Sequence, residues 1–511
     1  MARQKARSAA AQLAHMQSAT ARQKQNGKIV DVPVKSLPAG ARIVVRAGER
    51  IPCDGVVHKV QSDSNRSFLT GEAAPVGLCK GMAVFAGEIS LNGVLEIDVT
   101  STAEDSVLRR FIELVEVAER GRDHYRSLAD RAASLYAPLV HILALAAFAF
   151  WWWYSGDVHL SLTIAIAVLI ITCPCALGLA VPAVMTTASG RLFAAGILLK
   201  NATALERIAK IDTVVFDKTG TLTTGHFNAH SHAGWTVTER ALLRGLASAS
   251  QHPLAQALSR GLSQDTLLEL PLDQVTEHPG CGISGIFDGK TIKLGNAKWL
   301  GQTTFENDPM RRLGFQIGWG KVTWLAFDEE IKPGVPEMLS YLDKAELRRI
   351  LLTGDHENAA DKMAQELGFS FCHAAMTPSE KLGFIADLRV GGAAVLMVGD
   401  GLNDTGAMAA ANAAVAPASA LDAARTTADV VLLGKNLQTL PLLLATAAVA
   451  RRRILQNFVA AGLYNLVVVP LALTGVASPL IAAAAMSASS LTVILNALRL
   501  RVPTTSTRQS P

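Results

Sequence analysis

TVVFDKTGTLTTG, residues 213–225, sets a run of strand composition against a carboxylate and then a turn of Gly and Thr. Val, Phe and Thr favour a pleated, packed surface. A parallel sheet gathers its ligands at the carboxyl ends of its strands, which is where Asp217 falls. The glycine that follows lets backbone approach an anion closely. Two more apolar runs end the same way: RRILLTGD (348–355) delivers Thr353, Gly354 and Asp355, and AAVLMVGDGLND (393–404) delivers Asp400 and Asp404. TPSEK (377–381) adds Lys381 between them. Mg2+ takes few carboxylates plus phosphate oxygens, and Asp217, Asp400 and Asp404 offer the former. Thr353, Gly354 and Asp355 supply a hydroxyl and backbone amides for phosphate, and Lys381 supplies charge. The set suits attack by Asp217 on a terminal phosphoryl group, giving an aspartyl phosphate. For any single strand, an Asp that merely caps the next helix explains as much; three such endings together weigh against that account.

Working outward, 511 residues are enough for several domains. Half of them are hydrophobic and the net charge is only +5, a balance that suits a membrane protein with soluble parts and argues against nucleic acid as a partner. Cysteines 53, 79, 173, 175, 281 and 372 show no disulfide-framework spacing and read as reduced thiols. Residues 1–26 lack the apolar core of a signal peptide and read as a basic amphipathic helix. Spanning a bilayer takes about 20 apolar residues. Four stretches qualify, near 137–154, 160–182, 455–474 and 479–498, forming hairpins over 137–189 and 454–500. Arginines 131, 191, 451, 452, 453, 499 and 501 lie at the ends away from the short connections, which puts both termini and the central region in the cytoplasm. Residues 27–103 alternate as a small β domain, and 104–136 form a helical linker. Residues 205–222 and 326–434 read as parallel α/β, interrupted by an inserted domain over 223–325; the tail 501–511 reads as disordered.

VLIITCPCALGLAVP (168–182) breaks an apolar helix at Pro174 between Cys173 and Cys175. Broken backbone at membrane depth is tolerated where it lines a protein-enclosed site, and thiolates favour soft ions such as Cu(I). A kinked helix with two inert cysteines is the other account. Tyr464 and Asn465 occur in the third apolar stretch, and Met486 and Ser490 lie one turn apart on the fourth. A thioether and neutral oxygens suit a soft monovalent ion. LTGEAAP places Glu72 on a turn that a solvated hairpin would also explain. His252-Pro253 reads by itself as the start of a helix. GKT at 289–291 has Ser284 where a Walker A loop needs its first glycine, and GCGISG (280–285) lacks the strand and helix of a dinucleotide fold.

DKTGTLT, TGD, GDGLND and the intramembrane CPC together resemble the heavy-metal (CPx-type) branch of the P-type ATPases, over about residues 1–501. The resemblance implies a multi-domain α/β protein with four transmembrane helices. Its parts are a haloacid-dehalogenase-like phosphorylation domain, an inserted α+β nucleotide-binding domain and a small β actuator domain. It gives Lys218 and Thr219 catalytic places beside Asp217, with Thr219 also near Mg2+. It assigns His252, Pro253, Gly280, Gly282 and Gly295 to the ATP pocket, although many relatives carry Glu where this chain has Gln251. Glu72 becomes the residue that orients or deprotonates the water releasing phosphate. The Tyr-Asn and Met-Ser patterns resemble the copper-transporting subgroup, and the AAVAPASALDAA stretch resembles pumps associated with cbb3-type cytochrome oxidase assembly. The resemblance implies ATP-driven export of Cu(I), or the similarly soft Ag(I), by a multi-pass cell-membrane protein with cytoplasmic catalytic domains. Cys173, Cys175, Tyr464, Asn465, Met486 and Ser490 would hold the ion. Full-length relatives carry further helices before the actuator domain, so the chain is expected to lack the first membrane helices, with another chain as one source for them. A metal-delivering chaperone is a candidate partner. The alternatives are an inactive or split-pump fragment, a membrane-tethered phosphatase of the dehalogenase kind, and a metal-binding membrane protein without enzymatic activity.

Overall fold

The computed structural model describes residues 14, 17–25, 27–59, 62–66, 76–91, 93–123, 128–173, 175–201, 203–229, 235–250, 252–262, 270–278, 281–301, 311–434 and 437–500. The chain divides into two compact units, Met1–Gly121 with Asp212–Ala428, and Arg122–Ile211 with Asp429–Pro511. Most of the expected N-terminal helix, the tail 501–511 and the Glu72 turn lie outside the described residues.

The first unit opens with a six-stranded antiparallel sheet between Thr20 and Val99 and a smaller three-stranded one, counted among the described residues. Inward positions alternate with outward ones, as in Leu95, Ile97 and Val99, and pack with Ile43 and Val57. Residues 20–25 are a strand rather than part of a basic helix, and pair with Lys28–Pro33. The correction has a visible cause: Asn26-Gly27 is the dipeptide that two-residue hairpin turns prefer. Asp54 accepts hydrogen bonds from Ala86 N and Val107 N, both at 2.8 Å, and so fixes the start of the helix Val107–Asp123. Leu108, Phe111, Ile112 and Val115 bury the inner face of that helix against Ala86 and Ala409.

Five parallel strands follow in this unit: β1 (Thr213–Asp217), β2 (Arg348–Leu352), β3 (Phe371–His373), β4 (Val395–Val398) and β5 (Ala413–Pro417), ordered β5-β4-β1-β2-β3. Helices cover both faces of such a sheet, which is why β1 and β4 are apolar and buried along their whole length. The register places Asp217 opposite Leu352 and Phe216 opposite Val398, so the ends of β1, β2 and β4 lie level. Between β1 and β2 sits a six-stranded antiparallel sheet, from Thr223–Ala229 through Thr323–Ile331, packed on the helices Val237–Ser248 and Pro253–Leu262. The last of these strands runs to Ile331, past the boundary read at 325, because Thr223 pairs with Ile331 at the root of the insertion.

The second unit is built on α1 (Leu128–Ser155), α2 (Val158–Ile171), α3 (Cys175–Ala194), α4 (Leu440–Leu473) and α5 (Pro479–Leu498). Among the described residues, Pro138–Ser155, Leu437–Leu473 and Pro479–Leu498 are long and apolar enough to cross a membrane; α2 is apolar but shorter. The stretch expected as one span at 160–182 is two helices, and the second continues to Ala194. The break follows Thr172, whose hydroxyl turns back to Val168 O at 2.6 Å, and precedes Cys175; Pro174 itself lies outside the described residues. A buried Arg207–Asp429 pair at 2.7 Å joins the segment after α3 to the segment before α4.

Candidate active site and metal cavity

The level strand ends of the first unit bring one oxygen each of Asp217, Asp400 and Asp404 within 4.8 Å of one another. Asp217 and Asp404 are buried. After Asp217 the chain enters an irregular turn, Lys218–Leu222, in which Gly220 has φ of 71°. A Cβ at Gly220 would run into the Asp400 carboxylate, so only glycine permits this approach. Lys381 is fixed by its helix start, where Thr377 Oγ1 accepts from Glu380 N at 3.3 Å and Glu380 Oε2 accepts from Thr377 N at 2.8 Å. From there its ammonium reaches Asp217 and, at 2.9 Å, Asp404.

Burial, and then the neighbouring Asp404, push the Asp217 carboxyl up to about 7 against the pull of Lys381. Burial, with Asp217 and Asp404, pushes Asp400 up to about 8. Burial works to lower the Lys381 ammonium, but Asp217 and Asp404 together raise it. Without a cation the crowded carboxylates tend to keep protons that a divalent ion could displace, and their donors are hard oxygens. That chemistry fits Mg2+.

Lys218 turns away from this cluster to Glu329, at 2.6 Å, and to Asp355. Asp355 is thus the partner of a lysine rather than a free carboxylate. Thr353 is buried; its hydroxyl accepts from Asp355 N at 3.1 Å and its amide donates to His373 O at 3.0 Å. Thr219 and Gly354 lie in the same strand-end layer. Sequence reasoning missed Lys332, whose ammonium donates to Gly220 O. Burial lowers its pKa while Asp400 opposes the change. The signal was its place in EEIKPG, where a strand gives way to a helix beginning at Val335.

In the inserted domain, His252 Nδ1 accepts from Leu254 N at 3.3 Å, which is the helix-start arrangement. Gly282 and Gly295 face each other across paired strands. A Cβ on Gly282 would strike Leu294 O, and one on Gly295 would strike Cys281 O and the Trp299 ring. The absence of a side chain at these two glycines lets the paired strands pack closely. Nearby, His278 Nε2 lies 2.8 Å from Ser284 Oγ and Lys293 stands 5.1 Å over Trp299. Gly280 and the side chain of Pro253 lie outside what is described.

In the second unit a cavity of about 120 Å³ is lined by Tyr136, Cys173, Tyr464, Asn465, Met486 and Ser489, with Phe458 among its apolar walls. It gathers four of the six expected metal ligands. Ser490 does not line it; Ser489, the next position round α5, does. The Cys175 side chain lies outside what is described. Cysteines 53, 79, 281 and 372 are free as expected. Cys173 is not: it is disulfide-bonded, so its sulfur must be reduced before it can serve as a thiolate ligand.

Comparison with known proteins adds the family. Residues 211–412 match the haloacid dehalogenase-like hydrolases, and residues 15–116 match the P-type ATPase actuator domain. The nitrogen fixation protein FixI of Rhizobium leguminosarum bv. viciae is 41% identical, over 92% of this chain and 62% of the relative. The FixI of Rhizobium meliloti is 38% identical, over 92% of this chain and 61% of its own length, so the chain spans about three fifths of these relatives. The probable copper-transporting ATPase PacS of Synechocystis is 35% identical, over 98% of this chain and 71% of that protein. A crystal structure of a zinc-transporting PIB-type ATPase superposes with a TM-score of 0.89 at 28% identity, covering 96% of this chain and 83% of the other. With the strand-end aspartates in place and the PacS relative matched over 71% of its length, the chain belongs to the heavy-metal (CPx-type) family of P-type ATPases.

Proposed function

We propose that this chain is the core of an ATP-driven pump that moves a soft monovalent ion, Cu(I) or Ag(I), out of the cytoplasm across the cell membrane. The observation that carries the reading is the lining of the membrane-unit cavity: a cysteine sulfur, a thioether, two phenols, an amide and a hydroxyl, with no carboxylate among them. Such donors favour a soft ion of low charge over a hard divalent one. Zn2+, the ion named for the superposed crystal structure, is the competing cargo.

In this reading Asp217 attacks the terminal phosphoryl group of ATP. The Oδ–P bond forms, the bond to the β-phosphate oxygen breaks, and ADP leaves. Lys381 holds Asp217 and Asp404 in line and favours the ionised nucleophile. Lys332 pins the Gly220 carbonyl, fixing the turn that follows Asp217, and Lys218 is anchored away by Glu329 and Asp355. A Mg2+ ion held by Asp217, Asp400 and Asp404 would neutralise the carboxylates and the phosphate oxygens. Glu72 then takes a proton from the water that attacks phosphorus, regenerating the Asp217 carboxylate and releasing phosphate. ATP is held by the inserted domain at the face bearing His252.

The test is ATP hydrolysis by the reduced, purified chain with Cu(I), Ag(I) or Zn2+, beside Cys173→Ser and Asp217→Asn. Stimulation by Cu(I) and Ag(I) that both variants lose supports the reading. Stimulation by Zn2+ alone replaces the cargo, and turnover indifferent to metal and to Cys173 points instead to a tethered phosphatase.

A further inference from the structure

On α5, Ser487 Oγ and Thr492 Oγ1 donate back to their own helix, to Ala483 O and Ala488 O, both at 2.9 Å. Asn496 reaches across instead: its Nδ2 donates to Asn457 Oδ1 on α4 at 2.8 Å, and its Oδ1 accepts from Arg453 Nη1 at 3.1 Å. A guanidinium can only donate, so the Asn496 oxygen must face Arg453 and its NH2 must face Asn457. That in turn sets the Asn457 amide with its oxygen toward α5. Asn457 is 1% exposed, and its own NH2 meets no acceptor among the described residues. A buried donor left unpaired is destabilising, so stability alone does not account for the pair. The end of α5 is also held through its backbone, Leu498 O accepting from Arg191 Nη2 at 3.3 Å and Arg499 O from Arg453 Nη2 at 3.4 Å. Those carbonyls point along the helix axis and restrain sliding more than rotation.

The asparagine pair is in step with the cavity. Counting seven residues toward the hairpin connection leads from Asn457 to Tyr464 and from Asn496 to Ser489. Seven residues fall about 20° short of two turns and span roughly 10 Å, so each asparagine shares a helix face with its cavity residue. Tyr464 and Ser489 both line the cavity. Ser490 points about 100° away from Ser489. We propose that Asn496 and Asn457 are positioning residues of the metal cavity: their hydrogen bond sets the rotation of α5 about its axis, so that Ser489 and not Ser490 is presented to the ion. The proposal rests on the cavity being where the metal binds. Between helices surrounded by lipid, an amide–amide bond has no water to exchange with, which suits it to hold one rotation against others.

The experiment is a competition for Cu(I) between a colorimetric chelator and the full chain in lipid nanodiscs under reducing conditions. S489A and S490A are each measured in the parent, in N496L, in N457L and in N457L/N496L, with C173S as the reference. In the parent, S489A is expected to weaken binding by about two- to fivefold and S490A to leave it unchanged. In the leucine backgrounds that difference is expected to close or reverse. The double background should go no further than either single one, because both changes remove the same bond. A role in stability alone would lower the melting temperature and leave the serine preference as it was. A preference for Ser489 that persists in N496L and N457L overturns the inference, and so does failure of both variants to fold, which marks the bond as structural. If one of them does not fold, the other removes the same bond and decides the question. Weakening by C173S with no difference between the serines in the parent overturns this inference and leaves the cavity assignment standing. A parent that binds no Cu(I), or a C173S variant that matches it, overturns the cavity assignment and this inference with it.

Discussion

At the strand ends of the first unit, three carboxylates crowd within 4.8 Å and two of them carry pKa values pushed to about 7 and about 8. In the cavity of the second unit, sulfur, phenol, amide and hydroxyl meet around a space of about 120 Å³, with no carboxylate among the described lining residues. The first site accumulates charge and holds it with a buried lysine; the second avoids charge and relies on the kind of donor. A hard ion that comes and goes with a nucleotide needs strong, quickly satisfied electrostatics. If the proposed cargo is right, a soft ion that must be bound and then released would gain nothing from a carboxylate, which would bring in competing divalent ions. Each difference can be attacked separately.

The largest effect should come from Asp217→Asn. Losing the nucleophile should cut the formation of phosphoprotein from labelled ATP by on the order of a thousandfold or more. Cu(I) affinity at the cavity should stay within experimental error. An altered affinity would mean that the two sites are not chemically independent. Next comes Lys381→Met. Its ammonium is 1% exposed and answers both Asp217 and Asp404. Removing one member of a buried ionic group typically costs about 3–5 kcal/mol, because the remaining charges are left uncompensated. Denaturant unfolding should show this loss, with Mg2+ restoring part of it. Unchanged stability would mean that the aspartates are already neutral without the lysine.

The third effect is a pH dependence. Asp217 and Asp400 have raised pKa values in the folded chain, about 7 and about 8, against the ordinary value of 3.8. Below that ordinary value both the folded and the unfolded chain are protonated there and the cluster costs nothing. As pH rises toward 7 and 8 the unfolded chain releases these protons first, so the metal-free protein should lose stability across that window and level off above it. Mg2+ competes with the same protons. Its apparent affinity should therefore tighten from pH 6 to pH 8, by up to about tenfold per pH unit for each proton displaced. Thermal unfolding with titrated Mg2+ measures both trends. Affinity for Mg2+ that is flat over this range would contradict the charge-crowded description. Cu(I) binding in the cavity should show no matching step from this cluster.

The two regions were also unequally legible in the sequence. Asp217, Asp400, Asp404 and Lys381 were readable because each sits in a short contiguous motif at the end of an apolar run, and strand register does the rest. Lys332 and Glu329 were not, since a charged residue at the root of an inserted sheet looks like any surface charge until Thr223 is seen to pair with Ile331. The strand at 20–25 was hidden by its basic side chains, although Asn26-Gly27 announced the turn. In the membrane unit, Cys173, Tyr464, Asn465 and Met486 were legible as donor types in apolar helices. Tyr136 was not, because a tyrosine near the end of such a helix is an ordinary interfacial residue. The break at Thr172 was foreseeable from Pro174, but the continuation of α3 to Ala194 was not, because Thr186, Thr187, Ser189 and Gly190 end the apolar run without ending the helix.

The smallest effect tests the finest point of the contrast. Ser489 and Ser490 are adjacent on α5, a helix apolar around most of its circumference, so no polar stripe indicates which of them faces inward. Consecutive residues on a helix point about 100° apart. Spacing from Met486 favoured Ser490, one full turn on, whereas the cavity is lined by Ser489. A side chain leans over the turn before its own Cα, so the surface a helix presents at one level is not fixed by spacing alone. Ser489→Ala should weaken Cu(I) binding by about two- to fivefold, the loss of one neutral oxygen near the ion. Ser490→Ala should leave it unchanged, with both variants compared in the same chelator competition. If the order were reversed, α5 would have to be rotated by one residue. Met486 would then turn with it out of the cavity, and the claim that a thioether helps select a soft ion would lose its structural basis.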